Sequence, residues 1–310
     1  MAVPKVATRS PQTNRLDSGP RLKRDVVPCV LAIGGLDPGG GAGVLADARA
    51  IARAGAFGCA AISVLTVQST SGMRSATSTS KKELVAACAE VLRHQHVRAI
   101  KVGALGSVEN TRAVGELLAT HRKMPAVIDT VMKPTRGRSR LLDDRAVEAL
   151  RDRVLPRAAL VTVNAPEAEV LSERRVTRLD EAHDAALVLL KLGARAVLLK
   201  GGHLTGPHAI DLLAVASTEP APTKKERARP RATAVHVIEL KAPRLDIPAT
   251  HGGGCALASL IAGKLASSAD DYAAQPERTL ESAVRWAKTI HHAALARAAD
   301  VGGHLRVLFA

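Results

Sequence analysis

Aromatic side chains are nearly missing from this 310-residue chain: Phe57, Tyr272, Trp286 and Phe309 make up 1% of it. Any core must therefore be built from Ala, Val, Leu and Ile, and a surface that stacks nucleic-acid bases on several rings is excluded. Cysteine is scarce too. Cys29, Cys59, Cys88 and Cys255 show no C-x-x-C spacing and no His at zinc-site spacing, which argues against a disulfide scaffold and a structural zinc. Long apolar runs are also lacking. The longest weakly polar stretch, Gly55–Val67, falls short of the about 20 residues that span a bilayer. The start, Met1-Ala-Val-Pro-Lys5, has no apolar segment of a secretory signal, and Asp17 and Asp25 argue against a transit peptide. These absences predict a cytoplasmic protein with no membrane partner.

Acidic residues are outnumbered, 29 to 44, leaving a formal charge of +15. Much of the excess sits in two stretches. Lys5, Arg9, Arg15, Arg21, Lys23 and Arg24 lie in a polar, Pro-containing start, read as a disordered basic extension over 1–25. Lys224, Lys225, Arg227, Arg229 and Arg231 lie in a Pro-rich segment, Ser217–Thr233, read as an insertion loop. No nucleic-acid motif accompanies this charge, so no specific nucleic-acid partner is expected.

Against these absences stands an apolar content of 46%, ample for a core. Its pattern alternates. Short apolar runs at Cys29–Ile33, Ala60–Val67, Ala99–Val102, Ala126–Ile128, Ala159–Val163 and Ala196–Leu199 read as strands of a buried parallel sheet. Between them the spacing predicts helices over Val44–Ala54, Lys81–His94, Thr111–Thr120, Asp144–Val154 and Asp180–Leu192. Further strands follow near Asp211–Ala214 and over Ala234–Leu240, and an apolar helix over Ala256–Ala266. Strand–helix alternation at this spacing implies an α/β fold: one doubly wound, mostly parallel sheet with helices on both faces, in a single domain over 26–310.

Open parallel sheets bind ligands beyond the carboxyl ends of their strands, so the loops that follow strands carry the chemistry. Gly34–Gly43 (GGLDPGGGAG) fits neither a P-loop nor G-x-G-x-x-G; it offers close backbone approach and one acid, Asp37, or else is only a tight turn. Thr250-His-Gly-Gly-Gly-Cys255 opens a helix. Three glycines there present N–H groups at the positive end of the dipole, an anion site, and the same field lowers the pKa of a thiol at Cys255. That thiolate would serve as nucleophile or base; the alternative is a buried cysteine beside a turn. Asn164 and Glu167 either cap a helix or, with Asp129 at another strand end, share a Mg²⁺. Lys200-Gly-Gly-His-Leu204 either neutralises a phosphate or closes a strand. The pairs His94/His96 and His291/His292 lack a third ligand and read as surface or core residues.

Taken together, GGLDPGGGAG (34–43), TVQSTSG (66–72), KVGALGS (101–107), DTVM (129–132), NAPEA (164–168), KGGHL (200–204) and THGGGCALAS (250–259) resemble the hydroxymethylpyrimidine and hydroxymethylpyrimidine-phosphate kinases of thiamine biosynthesis. The resemblance spans about residues 30–266 and implies the ribokinase-like fold, ATP and Mg²⁺ as cofactors, and a homodimer acting on a small pyrimidine. It places Gly35, Asp37, Gly41, Gln68, Ala104 and Val131 around the pyrimidine. Asn164, Glu167, Lys200, Gly202 and Thr250 fall on the nucleotide side, with Asp129 and Glu167 at the metal. Gly252, Gly253 and Gly254 would steady the transferring phosphoryl group, and Cys255 would deprotonate or orient the attacking hydroxyl. The chain departs from the family at Leu36 and Gly39 (usually Ser), Ala104 (usually Met), Gly253 (usually Thr) and Thr135, where a Lys is usual. These changes keep two alternatives open: a pyridoxal- or pyridoxine-type kinase of the same fold, and a descendant that binds its ligand with little or no turnover.

Overall fold

The computed structural model describes residues 26–134, 136, 141–205, 208–217 and 234–308. The basic extension (1–25), Thr135 and all but the first residue of the basic insertion (217–233) lie outside the described residues.

Strand β1 (Cys29–Leu36) sits inside a nine-stranded sheet. One side continues through β2 (Phe57–Ser69) to an edge strand, β3 (Gly72–Ser78). The other side runs through β4 (Val97–Val102), β5 (Ala126–Asp129), β6 (Leu160–Asn164), β7 (Ala196–Lys200), β8 (His208–Ala216) and β9 (Val235–Pro243). β2, β1, β4, β5, β6 and β7 are parallel; β3, β8 and β9 join antiparallel at the two edges. The fold class expected from the alternation is the one observed.

Each central strand is apolar on both faces because each face meets helices. Leu31, Ile33, Ile100, Val102, Ile128, Val161 and Val163 point to one layer; Val30, Ala32, Ala99, Val127, Leu160 and Leu198 point to the other. The first layer holds α2 (Lys81–His94), α3 (Val108–Thr120), α4 (Asp144–Ala149, continued by a π turn over Leu150–Val154), α5 (Ala165–Ser172) and α6 (Leu179–Lys191). The second holds α1 (Gly43–Arg53), α7 (Gly253–Ser267), α8 (Ala269–Ala274) and α9 (Pro276–Ala296). With so few rings, packing is aliphatic, and each fully buried Leu or Ile contributes about 1.5–3 kcal/mol. Tyr272 is the one aromatic side chain buried in these two layers among the described residues.

Local chemistry sets the boundaries. Ser80 Oγ accepts the Glu83 N–H (3.2 Å) and Glu83 Oε2 accepts the Ser80 N–H (3.0 Å), a capping box that starts α2. Two small strands, β10 (Thr250–His251) and β11 (Arg306–Val307), pair beside the start of α7 and tie the chain end to it.

Several elements leave little trace in the apolar pattern of the sequence. β3 folds back on β2 as an antiparallel hairpin, so Gln68 stands on a strand and not in a loop. α5 follows β6 directly, as Asn164 caps it. α9 buries Leu280, Ala283, Val284 and Ala287, a stripe half made of Ala, whose periodicity is weak. Among the described residues, no helix is long and apolar enough to cross a membrane.

Candidate active site

β1 is flanked by β2 on one side and β4 on the other, so the chain reverses its direction of travel across the sheet there. The crevice beyond the carboxyl ends of β1 and β4 is where such a sheet takes a ligand. One cavity opens there. It is lined by Gly35, Asp37, Gln68, Ala104, Asp129, Val131, Asn164, Glu167, Lys200, Gly252, Gly253, Gly254 and Cys255. Three residues expected in the site do not line it. Gly41 lies beneath the His251 ring, where a Cβ would come within 2.4 Å of His251 Cδ2. Gly202 faces away, its carbonyl accepting a hydrogen bond from Arg244 (3.0 Å). Thr250 stands in β10, behind Gly253.

The loop after β1 is organised by its own acid. Asp37 Oδ1 accepts the Gly39 N–H (2.9 Å); Oδ2 accepts the Ala42 N–H (2.9 Å) and lies 2.8 Å from His251 Nε2. Burial opposes the charge on Asp37, but the hydrogen bonds from His251 and the loop outweigh it and hold the carboxyl below its usual range. Asp37 therefore shapes the cavity wall, with Oδ2 taken up by Ala42 and His251 and Oδ1 accepting one bond from the loop. His251 Nε2 also lies 2.9 Å from the side-chain nitrogen of Gln68, which links the β2 hairpin to the start of α7.

Lys101, in the KVGALGS stretch, also lines the cavity. On β4 it interrupts the apolar run Ala99-Ile100-Lys101-Val102, and its Nζ lies 2.9 Å from both carboxylate oxygens of Asp47 on α1. Ser259 of α7 donates to Asp47 Oδ1 (2.8 Å). The pair is buried, with exposures of 1% and 0%. Burial works against the ammonium, but the carboxylates of Asp47 and Asp129 more than offset it and keep Lys101 protonated. A Lys within a central strand, and an Asp on the buried stripe of α1 with Val44 and Ile51, were the available signals: neither is stable there without the other.

Asp129, at the end of β5, accepts from Lys200 Nζ (3.0 Å) and Thr162 Oγ1 (3.0 Å), both on Oδ1. Burial opposes its ionisation, and Lys200 and Lys101 override it, pushing its pKa down. Asn164 and Glu167 make a capping box for α5: Asn164 Oδ1 accepts the Glu167 N–H (2.9 Å), and Glu167 Oε2 accepts the Asn164 N–H (3.0 Å). Thr130 Oγ1 also donates to Glu167 Oε2 (3.1 Å). Cap and cavity wall are therefore the same residues. Burial raises the Glu167 carboxyl to about 7; Lys200 opposes the rise and Asp129 adds to it.

A divalent cation fits this donor set. Asp129 Oδ2 and Glu167 Oε1 accept no hydrogen bond from the described residues, and a cation held by both would offset the burial and the repulsion from Asp129 that raise Glu167. Two carboxylates suit Mg²⁺, which keeps waters and takes phosphate oxygens as its other ligands. No group of three or more His, Cys, Asp or Glu among the described residues would hold a metal alone.

At the start of α7, Gly252 has φ +77°, and a Cβ there would fall 2.0 Å from the Gly41 carbonyl, so only glycine fits. The Ala256 N–H bonds back to the Gly252 carbonyl (2.9 Å), which leaves the N–H groups of Gly253, Gly254 and Cys255 without intrahelical acceptors. They face the cavity beside Lys200, whose Nζ would be 3.0 Å from a Cβ on Gly254. The helix field does not decide the state of Cys255. Burial pushes its thiol up to about 12; Lys101 and Lys200 pull it down, while Asp129 and Asp47 push it further up. The lowered pKa expected from the sequence is thus reversed.

A doubly wound parallel sheet that delivers an unpaired helix start, a Lys–Asp pair and a second carboxylate to one crevice has the parts of a phosphotransferase. The family described as phosphomethylpyrimidine kinase matches residues 37–307, and the chain belongs to that family. It is 35% identical over 276 residues to a hydroxymethylpyrimidine/phosphomethylpyrimidine kinase of Streptomyces coelicolor, covering 89% of this chain and 91% of that one. Among solved structures, phosphomethylpyrimidine kinase from Clostridium difficile 630 superposes with a TM-score of 0.64 at 27% identity, over 85% of this chain and 98% of that one. The pyridoxal kinase of Staphylococcus aureus in complex with AMP-PCP and pyridoxal shares the fold, with a TM-score of 0.73 at 22% identity over 92% and 93% of the two chains.

Proposed function

We propose that this chain transfers the γ-phosphoryl group of ATP to the hydroxymethyl oxygen of 4-amino-5-hydroxymethyl-2-methylpyrimidine, to its monophosphate, or to both, in thiamine biosynthesis. The observation that carries the reading is the convergence of three unpaired N–H groups, Gly253 to Cys255, with Lys200 and Asp129 at one end of the cavity. In-line phosphoryl transfer needs positioning and charge stabilisation more than covalent chemistry, and these groups supply both.

On this reading the pyrimidine lies against Gly35, Gln68, Ala104 and Val131, and the nucleotide lies toward Asn164 and Lys200. Lys200, held protonated, is drawn from Asp129 toward the phosphates as they bind. Asp129 and Glu167 would hold a Mg²⁺, which screens the phosphate oxygens when bound. The attacking oxygen forms its bond to the γ-phosphorus as the bridging bond to ADP breaks, and the unpaired N–H groups steady the oxygens in flight. Cys255 enters as a neutral thiol and orients the hydroxyl, since a thiol near 12 is a poor base at neutral pH; the hydroxyl proton passes to an oxygen of the transferring phosphoryl group and from there to water.

The test is ADP production by purified protein with ATP and Mg²⁺. Separate reactions hold the pyrimidine, its monophosphate, pyridoxal or no acceptor. Turnover with either pyrimidine is expected. Turnover with pyridoxal alone would transfer the reading to the vitamin-kinase alternative, which Ala104, a small side chain on the cavity wall, favours. Folded protein silent with every acceptor would sink the kinase reading. A homodimer and a cytoplasmic setting belong to the same reading; light scattering on the eluting protein tests the first.

A further inference from the structure

Helix α9 lines none of the cavity, yet two of its side chains reach the loops that do. Lys288 and His291 stand three apart on one face of the helix. Lys288 Nζ pairs with Asp211 Oδ2 of β8, and Asp211 Oδ1 accepts the Gly201 N–H (2.8 Å), just beyond Lys200. One turn on, His291 Nε2 lies 2.8 Å from the carbonyl oxygen of Gly253. A carbonyl only accepts, so Nε2 carries the hydrogen. The same Lys–Asp pair thus fixes α9 against the turn that carries Lys200, while His291 grips the anion loop.

The gripped carbonyl has a particular partner. The C=O of Gly253 and the N–H of Gly254 belong to one peptide unit, and that N–H is among those left unpaired toward the cavity. A hydrogen bond accepted by the carbonyl polarises the unit and makes its N–H a stronger donor. It also steadies a peptide between two glycines in the first turn of α7, where no side chain restrains the backbone. Gly253 has no side chain to do this, and a Cβ built there would stand 3.7 Å from His291 Nε2, so the imidazole fills the flank of the loop.

We infer that His291 is a positioning residue for phosphoryl transfer, acting through the Gly253–Gly254 peptide, with Lys288 and Asp211 holding its helix in register. The inference rests on the kinase reading above for its effect on rate, but not for its effect on the loop. Burial and Lys288 push the His291 pKa down to about 4, with Lys200 acting the same way and Asp211 opposing, so the ring is neutral, with its hydrogen on Nε2, in the working range.

The experiment compares the full chain with His291→Leu, which removes the donor, and His291→Gln, whose amide N–H reaches a similar point. The leucine variant should lose about tenfold in kcat, less than the loss of a whole oxyanion donor, with the pyrimidine KM within about twofold. The glutamine variant should recover most of that loss. Wild-type kcat in His291→Leu overturns the inference, as does a loss that His291→Gln fails to recover. Should the wild-type chain turn over no acceptor, the kinase reading fails and amide hydrogen exchange over residues 250–258 decides the inference alone. Faster exchange in His291→Leu, restored in His291→Gln, supports it; equal exchange in all three overturns it.

Discussion

A thiol in the first turn of a helix is usually taken to be acidified, and at Cys255 the balance of forces runs the other way. The dipole and two lysines favour the thiolate, but burial and two carboxylates outweigh them. Alkylation of Cys255 in ligand-free protein, followed by mass spectrometry of its peptide, should therefore keep accelerating above pH 9; a plateau near the ordinary thiol range of about 8.5 would contradict this. Cys255→Ser should keep the fold and lower kcat more than it raises the nucleotide KM, read from steady-state kinetics. His291 makes the second residue-scale prediction. Its folded pKa, about 4, lies below its ordinary 6.5, so the unfolded chain binds more protons between those values. Stability is then full above pH 6.5 and is lost as pH falls toward 4, by about 3 kcal/mol. Urea unfolding at pH 7 and pH 4.5 should show that loss in the wild type and a smaller one in His291→Gln; equal losses would deny the neutral, half-buried ring. The sequence could reveal Cys255, Asn164, Glu167 and Lys200, because each stands at a strand end beside glycine or proline. It could not reveal His291, whose partner is a backbone carbonyl 38 residues away. Nor could it say that Oδ2 of Asp37 would be taken up by His251.

At the scale of elements, the Lys101–Asp47–Ser259 contact joins β4, α1 and α7 directly beneath the anion loop. A buried pair contributes little beyond an apolar substitute, but removing one partner strands the other. Lys101→Met should therefore cost about 3–5 kcal/mol in chemical denaturation, and adding Asp47→Leu should return most of it. A single variant as stable as the wild type would mean that water reaches Asp47. Burial of this kind also decides what the pattern could show of the fold. Strands such as Cys29–Ile33 and Ala99–Val102 announce themselves because both faces are buried, and α2 is bounded by a Ser-x-x-Glu box that fixes its start at the predicted residue. β3 stayed hidden because Gly72–Ser78 is a largely exposed edge strand with one buried apolar side chain, Met73. α5 showed in the sequence only as the cap that Asn164 and Glu167 offered, because it is brief and carries a Pro in its first turn. Pairing order in the sheet is a property of contacts across the whole chain, and no local periodicity encodes it.

Across the whole molecule, charge and core are separable. The buried apolar residues of the two layers run from Val30 to Ala287, and the sheet's first contact is the Pro28 carbonyl, which accepts the Phe57 N–H (2.8 Å). Residues 1–25 add six basic and two acidic side chains to a chain of formal charge +15. If the domain is complete from residue 26, a chain beginning there should melt within about 2 °C of the full length, since a change of 1 kcal/mol moves the midpoint of a domain this large by about 2–4 °C. Its kcat should be unchanged, because among the described residues none that lines the cavity precedes Gly34. Retention on an immobilised polyanion should weaken, with a shallower dependence on salt, because fewer cations displace counterions. A truncated chain that melts markedly earlier would place part of the fold's support in the extension, and one that binds the polyanion as before would place the operative charge on the folded surface.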